Sequence, residues 1–282
     1  LVSLPSLRIA SFSVKLMDEL RDLRPSGGFT LAPEAASPRM QAIINKPLDN
    51  AVFEETVRTV FEHGWLSLKL YYMIGLPGET MEDVQAILDA GKRVLAIGRQ
   101  IRGNRVRVHL SVGNFIPKPH TPFQWYPLNT TDELQAKLDL LKKGVHRTGL
   151  KLSYNIPGAT LLEAWLSRGD RRLGQVIHRA WQLGAKFDAW GENDNLPFWR
   201  QAFSELGLYP DFYAYRERAL DEILPWDHIH TGVTKAFLRR DLEWSKLGKT
   251  RKDCREQCYA CGILDSFGAD RPISPLVYWG CP

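Results

Sequence analysis

Leu66-Ser67-Leu68-Lys69-Leu70-Tyr71-Tyr72-Met73-Ile74-Gly75-Leu76-Pro77-Gly78-Glu79-Thr80 is the stretch on which the fold turns. Leu66 to Ile74 reads as a strand, and Gly75-Leu76-Pro77-Gly78 stops it. Thr80 and Asp83 stand at capping-box spacing, so a helix starts there. Its apolar face is Val84, Ile87, Leu88, Val94 and Leu95. Upstream, Phe53, Val57, Val60 and Phe61 fall on one face of another helix, and Gly28 to Ala32 reads as a short strand after a Gly-Gly turn. Downstream, Arg105 to Val112 is a strand with Val106, Val108 and Leu110 on one side. After the Pro-rich loop Pro117-Lys118-Pro119-His120-Thr121-Pro122, Thr130 and Glu133 repeat the capping-box spacing. Leu134, Leu138, Leu141 and Val145 give that helix its stripe. Strand alternating with helix predicts parallel βα units, hence an α/β fold that is either a doubly wound sheet or a barrel. Ligands of both architectures sit beyond the carboxyl ends of the strands, which singles out the loops 33–38, 75–80 and 113–123.

The chain has 282 residues, 44% hydrophobic and 24% charged, with room for one large core or a core plus an appendage. It contains no uncharged apolar run long enough for a membrane helix and no signal-peptide pattern. A net charge of +5 permits a nucleic-acid partner without demanding one. Beyond about residue 150 tryptophans and charges become dense, and 151–250 reads as a mainly helical appendage. The chain opens on Leu1 and reads as a piece cut from something longer.

Cys254, Cys258 and Cys261 are the strongest chemical signal. Clustered thiols in a chain without a secretory pattern point to a metal site in a reducing cytoplasm rather than to disulfides. The spacing fits three irons of a [4Fe-4S] cluster, and equally a zinc site completed by Cys281 or a histidine. Elsewhere the signals are weaker. Gly75 to Thr80 reads as a backbone cradle for a ligand or as a plain tight turn. Glu34 is a candidate partner for a ribose hydroxyl or an ammonium, or a solvated loop acid. Lys118 and His120 read as a rigid loop with exposed polar tips. Asp227, His228 and His230 have the makings of a metal or proton-transfer run, with packed histidines as the plainer reading. Arg168-Gly169-Asp170-Arg171-Arg172 reads as an exposed corner held by ion pairs, or as an anion grip.

Leu31-Ala32-Pro33-Glu34-Ala35-Ala36-Ser37, Asn45-Lys46, Tyr72 to Thr80 and Phe115-Ile116-Pro117-Lys118-Pro119-His120-Thr121-Pro122-Phe123 occur in that order. Together they resemble the later strands of the radical S-adenosylmethionine (SAM) barrel. The likeness is nearest to the cobalamin-binding-domain radical SAM proteins of uncharacterised function, and more distant to the methylthiotransferases. Arg168-Gly169-Asp170-Arg171 and Pro225-Trp226-Asp227-His228 resemble the extension of the same proteins.

The resemblance implies the C-terminal portion of a partial (β/α)6 TIM-like barrel, truncated at its N-terminus, over 1–128. A closing helix and helical extension follow over 129–250, and a Cys-rich metal-binding tail over 251–282. It implies a SAM cofactor and a [4Fe-4S] cluster whose cysteines lie upstream of Leu1. The cluster's radical chemistry would act on an unknown substrate, with a reductase as electron donor and cobalamin in the full-length protein. By the same resemblance Glu34 meets the SAM ribose or carboxylate, and Ile74, Gly75 and Pro77 lie where the next strand and its turn pass the adenine. Cys254, Cys258 and Cys261 then form an accessory Fe-S or zinc site, and this portion alone is expected to be inactive. The competing expectation is a zinc-stabilised RNA-binding module without SAM chemistry.

Overall fold

The structure, a computed structural model, describes residues 28–188 and 195–268. They fall into two compact units: 28–115 with 131–155, and 116–130 with 156–188 and 195–268. Cys281 and Trp190 lie outside the described residues.

The first unit runs strand β1 (Phe29–Glu34), helix α1 (Pro38–Ile43), helix α2 (Asn50–Glu62), strand β2 (Ser67–Ile74), helix α3 (Met81–Arg102), strand β3 (Arg107–Asn114), helix α4 (Thr131–Val145) and strand β4 (Leu150–Tyr154). The four strands are parallel, and their order in the sheet is their order in the chain. Parallel neighbours need crossovers, which α2, α3 and α4 provide. Burial alternates strictly along β2. Leu68, Leu70, Tyr72 and Ile74 join Val108, Leu110 and Val112 of β3 and the apolar stripes of the three helices in one core. Each such side chain contributes on the order of 2 kcal/mol by leaving water. The capping box is present at the start of α3, where the Thr80 N–H donates to Asp83 Oδ2 at 2.8 Å.

The opposite set of strand residues is polar. Register places Lys69, His109 and Lys151 side by side, and Tyr71, Ser111 and Ser153 in the next row. Ser153 Oγ donates to Ser111 Oγ at 3.3 Å, and the Lys69 ammonium lies 4.7 Å from the centre of the Tyr71 ring. Burial first, then the charges of Lys69 and Lys151, hold the His109 pKa below its ordinary value. The helices therefore cover one face of the sheet, and hydroxyls and cations line the other.

Strand β4 departs from the sequence reading of 151–250 as a mainly helical appendage. Its register pairs Leu150 with Val108 and Leu152 with Leu110, so β3 supplies the partner that a five-residue segment lacks by itself. Helix α4 and strand β4, assigned by sequence to the segment 129–250, belong to the sheet unit, while loop 116–130 belongs to the helical one.

The second unit contains helices α5 (Pro157–Arg168), α6 (Leu173–Leu183), α7 (Leu196–Glu205), α8 (Pro210–Ala214), α9 (Lys235–Lys246) and α10 (Ile263–Phe267). Its main core gathers Leu161, Trp165, Val176, Trp199, Phe203 and Tyr213. A smaller one gathers Trp125, Leu224, Trp226, Leu238 and Leu242.

Arg168, read from sequence as part of an exposed corner, is instead fully buried. Its guanidinium donates to the carbonyls of Tyr213 and Arg216, both at 2.9 Å, and to that of Tyr126. It thereby satisfies the Tyr213 carbonyl in the last turn of α8 and the loop carbonyls of Arg216 and Tyr126. Burial first, then the neighbouring Arg218 and Arg216 charges, lower its pKa to about 10, so it stays protonated at neutral pH. The corner between α5 and α6 is held by Arg172 and Asp170, paired at 2.6 Å.

Candidate ligand-binding site at the strand ends

Glu34 and Gly75 stand at the carboxyl ends of neighbouring strands, where an open parallel sheet or barrel binds its ligands. The register of β1 against β2 shifts between Leu31 and Glu34, and Glu34 adopts a left-handed φ of 69°. A non-glycine residue there is strained, and the surroundings must enforce it. Lys46 does so, bonding the Ala32 carbonyl at 2.7 Å and Glu34 Oε1 at 3.2 Å. The Glu34 side chain keeps 29% of its surface exposed. Beside it lies a small apolar cluster of Ala35, Met40 and Leu76, with Met73 and Phe115 packed on it.

Gly75 to Thr80 behaves differently from a phosphate cradle. The Gly75 N–H donates to Glu79 Oε2 at 2.7 Å and the Thr80 N–H to Asp83. The turn's own carboxylates thus occupy amides that an anionic ligand would need. Asp83 also accepts from Ser37 at 2.6 Å and pairs with Arg39, which ties the β1–α1 loop to the start of α3. Burial alone would raise the Asp83 pKa, but the bonds from Ser37, Thr80 and Arg39 outweigh it and hold the carboxyl below its ordinary value. The Ile74 side chain is fully buried in the main core, and Gly75 and Pro77 are buried as well. Ile74 therefore offers a ligand its main chain only.

The structure adds one residue pair that sequence reasoning missed. Lys137 of α4 bonds Glu79 Oε2 at 2.8 Å, and both side chains are almost wholly buried. Burial raises the Glu79 pKa; Lys137 and the Gly75 N–H oppose the rise without cancelling it. No periodicity or motif connects a turn residue with a helix residue so far along the chain. The only hint was a lysine on the apolar side of α4.

Cys254, Cys258 and Cys261 are free thiols on a loop of the second unit, the first two exposed. The loop is fastened by the Thr234 N–H, which donates to the Cys261 carbonyl at 2.8 Å. It is fastened also by Arg251, whose guanidinium lies 4.2 Å from the Trp244 ring and 4.7 Å from the Tyr259 ring and pairs with Asp241. Ala260 and Gly262 have positive φ of 51° and 105°, and the Ala260 N–H donates to Cys258 Sγ at 3.4 Å. An N–H aimed at sulfur is a bond that a metal-bound thiolate also accepts. Among the described residues, however, no three His, Cys, Asp or Glu side chains converge closely enough to hold a metal ion.

The loop carrying His120 and the segment Pro225 to His230 meet in the second unit. Gln124 Oε1 accepts both the His120 backbone N–H at 3.1 Å and the Trp226 indole N–H at 2.6 Å.

The chain is 30% identical over 176 residues to an uncharacterised protein of Methanocaldococcus jannaschii. The match takes in 62% of this chain and 37% of that protein, so the chain spans little more than a third of its relative's length. No protein-family model matches the chain, and no solved structure does. No helix among the described residues is long and apolar enough to cross a membrane.

Proposed function

We propose that the first unit is part of the wall of a SAM-binding barrel, and that the whole protein is a radical SAM enzyme. The observation that carries this reading is the sheet itself. Its strands are parallel and strictly sequential, with helices over one face and polar side chains on the other. A doubly wound sheet reverses strand order at a switch point and takes helices on both faces; a barrel wall does neither. Glu34 and Gly75 then lie at the mouth. Glu34 would accept a ribose hydroxyl or the amino-acid end of SAM with the carboxylate oxygen that Lys46 leaves open. Met73 and Phe115, partly exposed members of the apolar cluster, would take the adenine edge. Bound SAM and a [4Fe-4S] cluster supply the radical chemistry; the chain's own residues orient and seat the nucleoside. Substrate, reductase and cobalamin belong to the same reading, as does the cytoplasm, the reducing setting that the free thiols fit.

Titration calorimetry with SAM on anaerobically purified protein tests the reading. Saturable binding that Glu34→Ala weakens about tenfold, the value of one good polar contact, is the expected result. Absence of SAM binding up to about 1 mM, well above the dissociation constant expected of a specific site, overturns it.

A second reading rests on the Ala260 N–H to Cys258 Sγ bond, which suits a thiolate metal site of either kind. A colourless protein with stoichiometric zinc, binding RNA in a salt-dependent way and SAM not at all, would favour the zinc-stabilised RNA module.

A further inference from the structure

The second unit holds a cavity of about 240 Å³ that the SAM reading does not use. Two segments far apart in sequence build it, the proline-rich loop carrying His120 and the run from Asp227 to Lys235 that enters α9. The buried Gln124 amide holds them together through the two hydrogen bonds already described. His120 has a left-handed φ of 56°, and its buried ring Nε2 has no hydrogen-bond partner among the described residues. An imidazole nitrogen removed from water without a partner is costly, and a ligand atom is one remedy.

The chemistry of the other walls says which kind of ligand. Asp227 is engaged through one oxygen: Oδ2 accepts the Leu224 N–H at 2.9 Å and pairs with Lys235, which offsets its charge. It is the one carboxylate among the side chains that line the cavity. Burial would raise the Asp227 pKa, but the Lys235 and Leu224 bonds and the charges of Lys235 and His120 hold it low. The other polar side chains of the wall include groups that can donate: the His120 and His230 rings and the Thr231 hydroxyl. Thr234 caps α9 by accepting the Phe237 N–H, so the positive end of a twelve-residue helix also faces this region. Ile229 and Val233 add apolar wall. The volume lies below that of pockets for drug-sized ligands.

We infer that this cavity binds a small molecule through a phosphate or carboxylate group, with His120 and His230 as its principal donors and the Lys235 ammonium beside them. The inference concerns the second unit alone and stands whether or not the first unit binds SAM.

Titration calorimetry of the purified chain with inorganic phosphate, and separately with malonate, tests it. Saturable binding of one equivalent of either anion is expected, and the comparison of the two arms identifies the oxyanion. His120→Asn, which tolerates a left-handed backbone, and His230→Asn, at an exposed position, should each weaken binding about tenfold, as loss of a charge-assisted bond does. Circular dichroism checks that the variants fold, and His230→Asn decides the matter should His120→Asn unfold. No saturable binding of either anion, or affinity unchanged by substituting His230 and by any folded His120 variant, overturns the assignment.

Discussion

At the scale of single residues, two buried or half-buried charges carry testable consequences. Glu79 is enclosed, and its Oε2 is shared by the Lys137 ammonium and the Gly75 N–H. Lys137→Met leaves a buried carboxylate with one partner fewer, which costs about 3–5 kcal/mol in denaturant unfolding at neutral pH. The pH dependence follows from the raised pKa of Glu79. A carboxyl raised in the folded state favours folding below its unfolded value, and that contribution is lost as pH rises through the folded one. Removing Lys137 raises the folded value further, so the deficit of the variant should shrink as the medium is acidified from about pH 8 to about pH 5, the side on which a carboxyl becomes neutral. A deficit independent of pH would mean that Glu79 does not titrate as the geometry requires. His109 gives the opposite sign. Its lowered pKa means that its contribution to stability is present above the unfolded value and lost as pH falls through the folded one. Lys69→Met removes one of the charges that lower it, so NMR titration should show the His109 pKa moving up in that variant. An unmoved value would show that the Lys69 charge plays no part in setting it.

At the scale of elements, helix α3 shows how closely the sheet and its helices are fitted. A Cβ placed on Gly98 would stand 2.7 Å from a Val106 methyl and 2.8 Å from the Phe61 ring. Gly98→Ala gains helix propensity of about 1 kcal/mol but overpacks the core by about 1–3 kcal/mol, for a net loss. Gly174 in α6 meets nothing within 4 Å, so Gly174→Ala should gain up to about 1 kcal/mol. Denaturant midpoints of the two variants should move in opposite directions; movement of both the same way would contradict the packing described for α3. Elements of this size were legible because their patterns are local. The strands read at 28–32, 66–74 and 105–112 and helices α2, α3 and α4 follow from period and caps, whereas the six-residue α1 is too short to show a period. Strand β4 was not, because a five-residue segment after Gly149 shows two apolar positions and gains its identity only from Val108 and Leu110 beside it. The strand-end turn was legible as a turn, but the capture of its amides by Glu79 and Asp83 was not, since only coordinates say which carboxylate faces inward. His120 and Asp227 were each visible as polar residues in proline-bounded segments. Their meeting was not, because it runs through one amide, that of Gln124.

At the scale of the whole molecule, each unit carries its own core and at least one buried cation, and this makes the division testable. The sheet unit closes around Leu68, Leu70, Val108 and Leu110 and contains Lys137; the helical unit closes around Trp165, Trp199 and Phe203 and contains Arg168. Arg168 holds backbone carbonyls with a planar fork that a lysine cannot imitate, so even Arg168→Lys should destabilise its unit by about 1–3 kcal/mol for each carbonyl left unmatched. Cooperative opening follows contiguous packing, so damage in one core should appear first in the amides of that core. Hydrogen exchange read by mass spectrometry distinguishes the cases. Lys137→Met should speed exchange in peptides from 28–115 and 131–155, and Arg168→Lys in those from 116–130, 156–188 and 195–268. The peptide spanning 116–130 is the sharpest reporter: it is flanked in sequence by β3 and α4 of the sheet unit, yet its carbonyls at Gln124 and Tyr126 face the Arg168 guanidinium. If that peptide responds to Arg168→Lys and is silent to Lys137→Met, the loop folds with the helices. If both variants loosen every peptide alike, the chain opens as one cooperative body and the two cores do not act as separate units of stability.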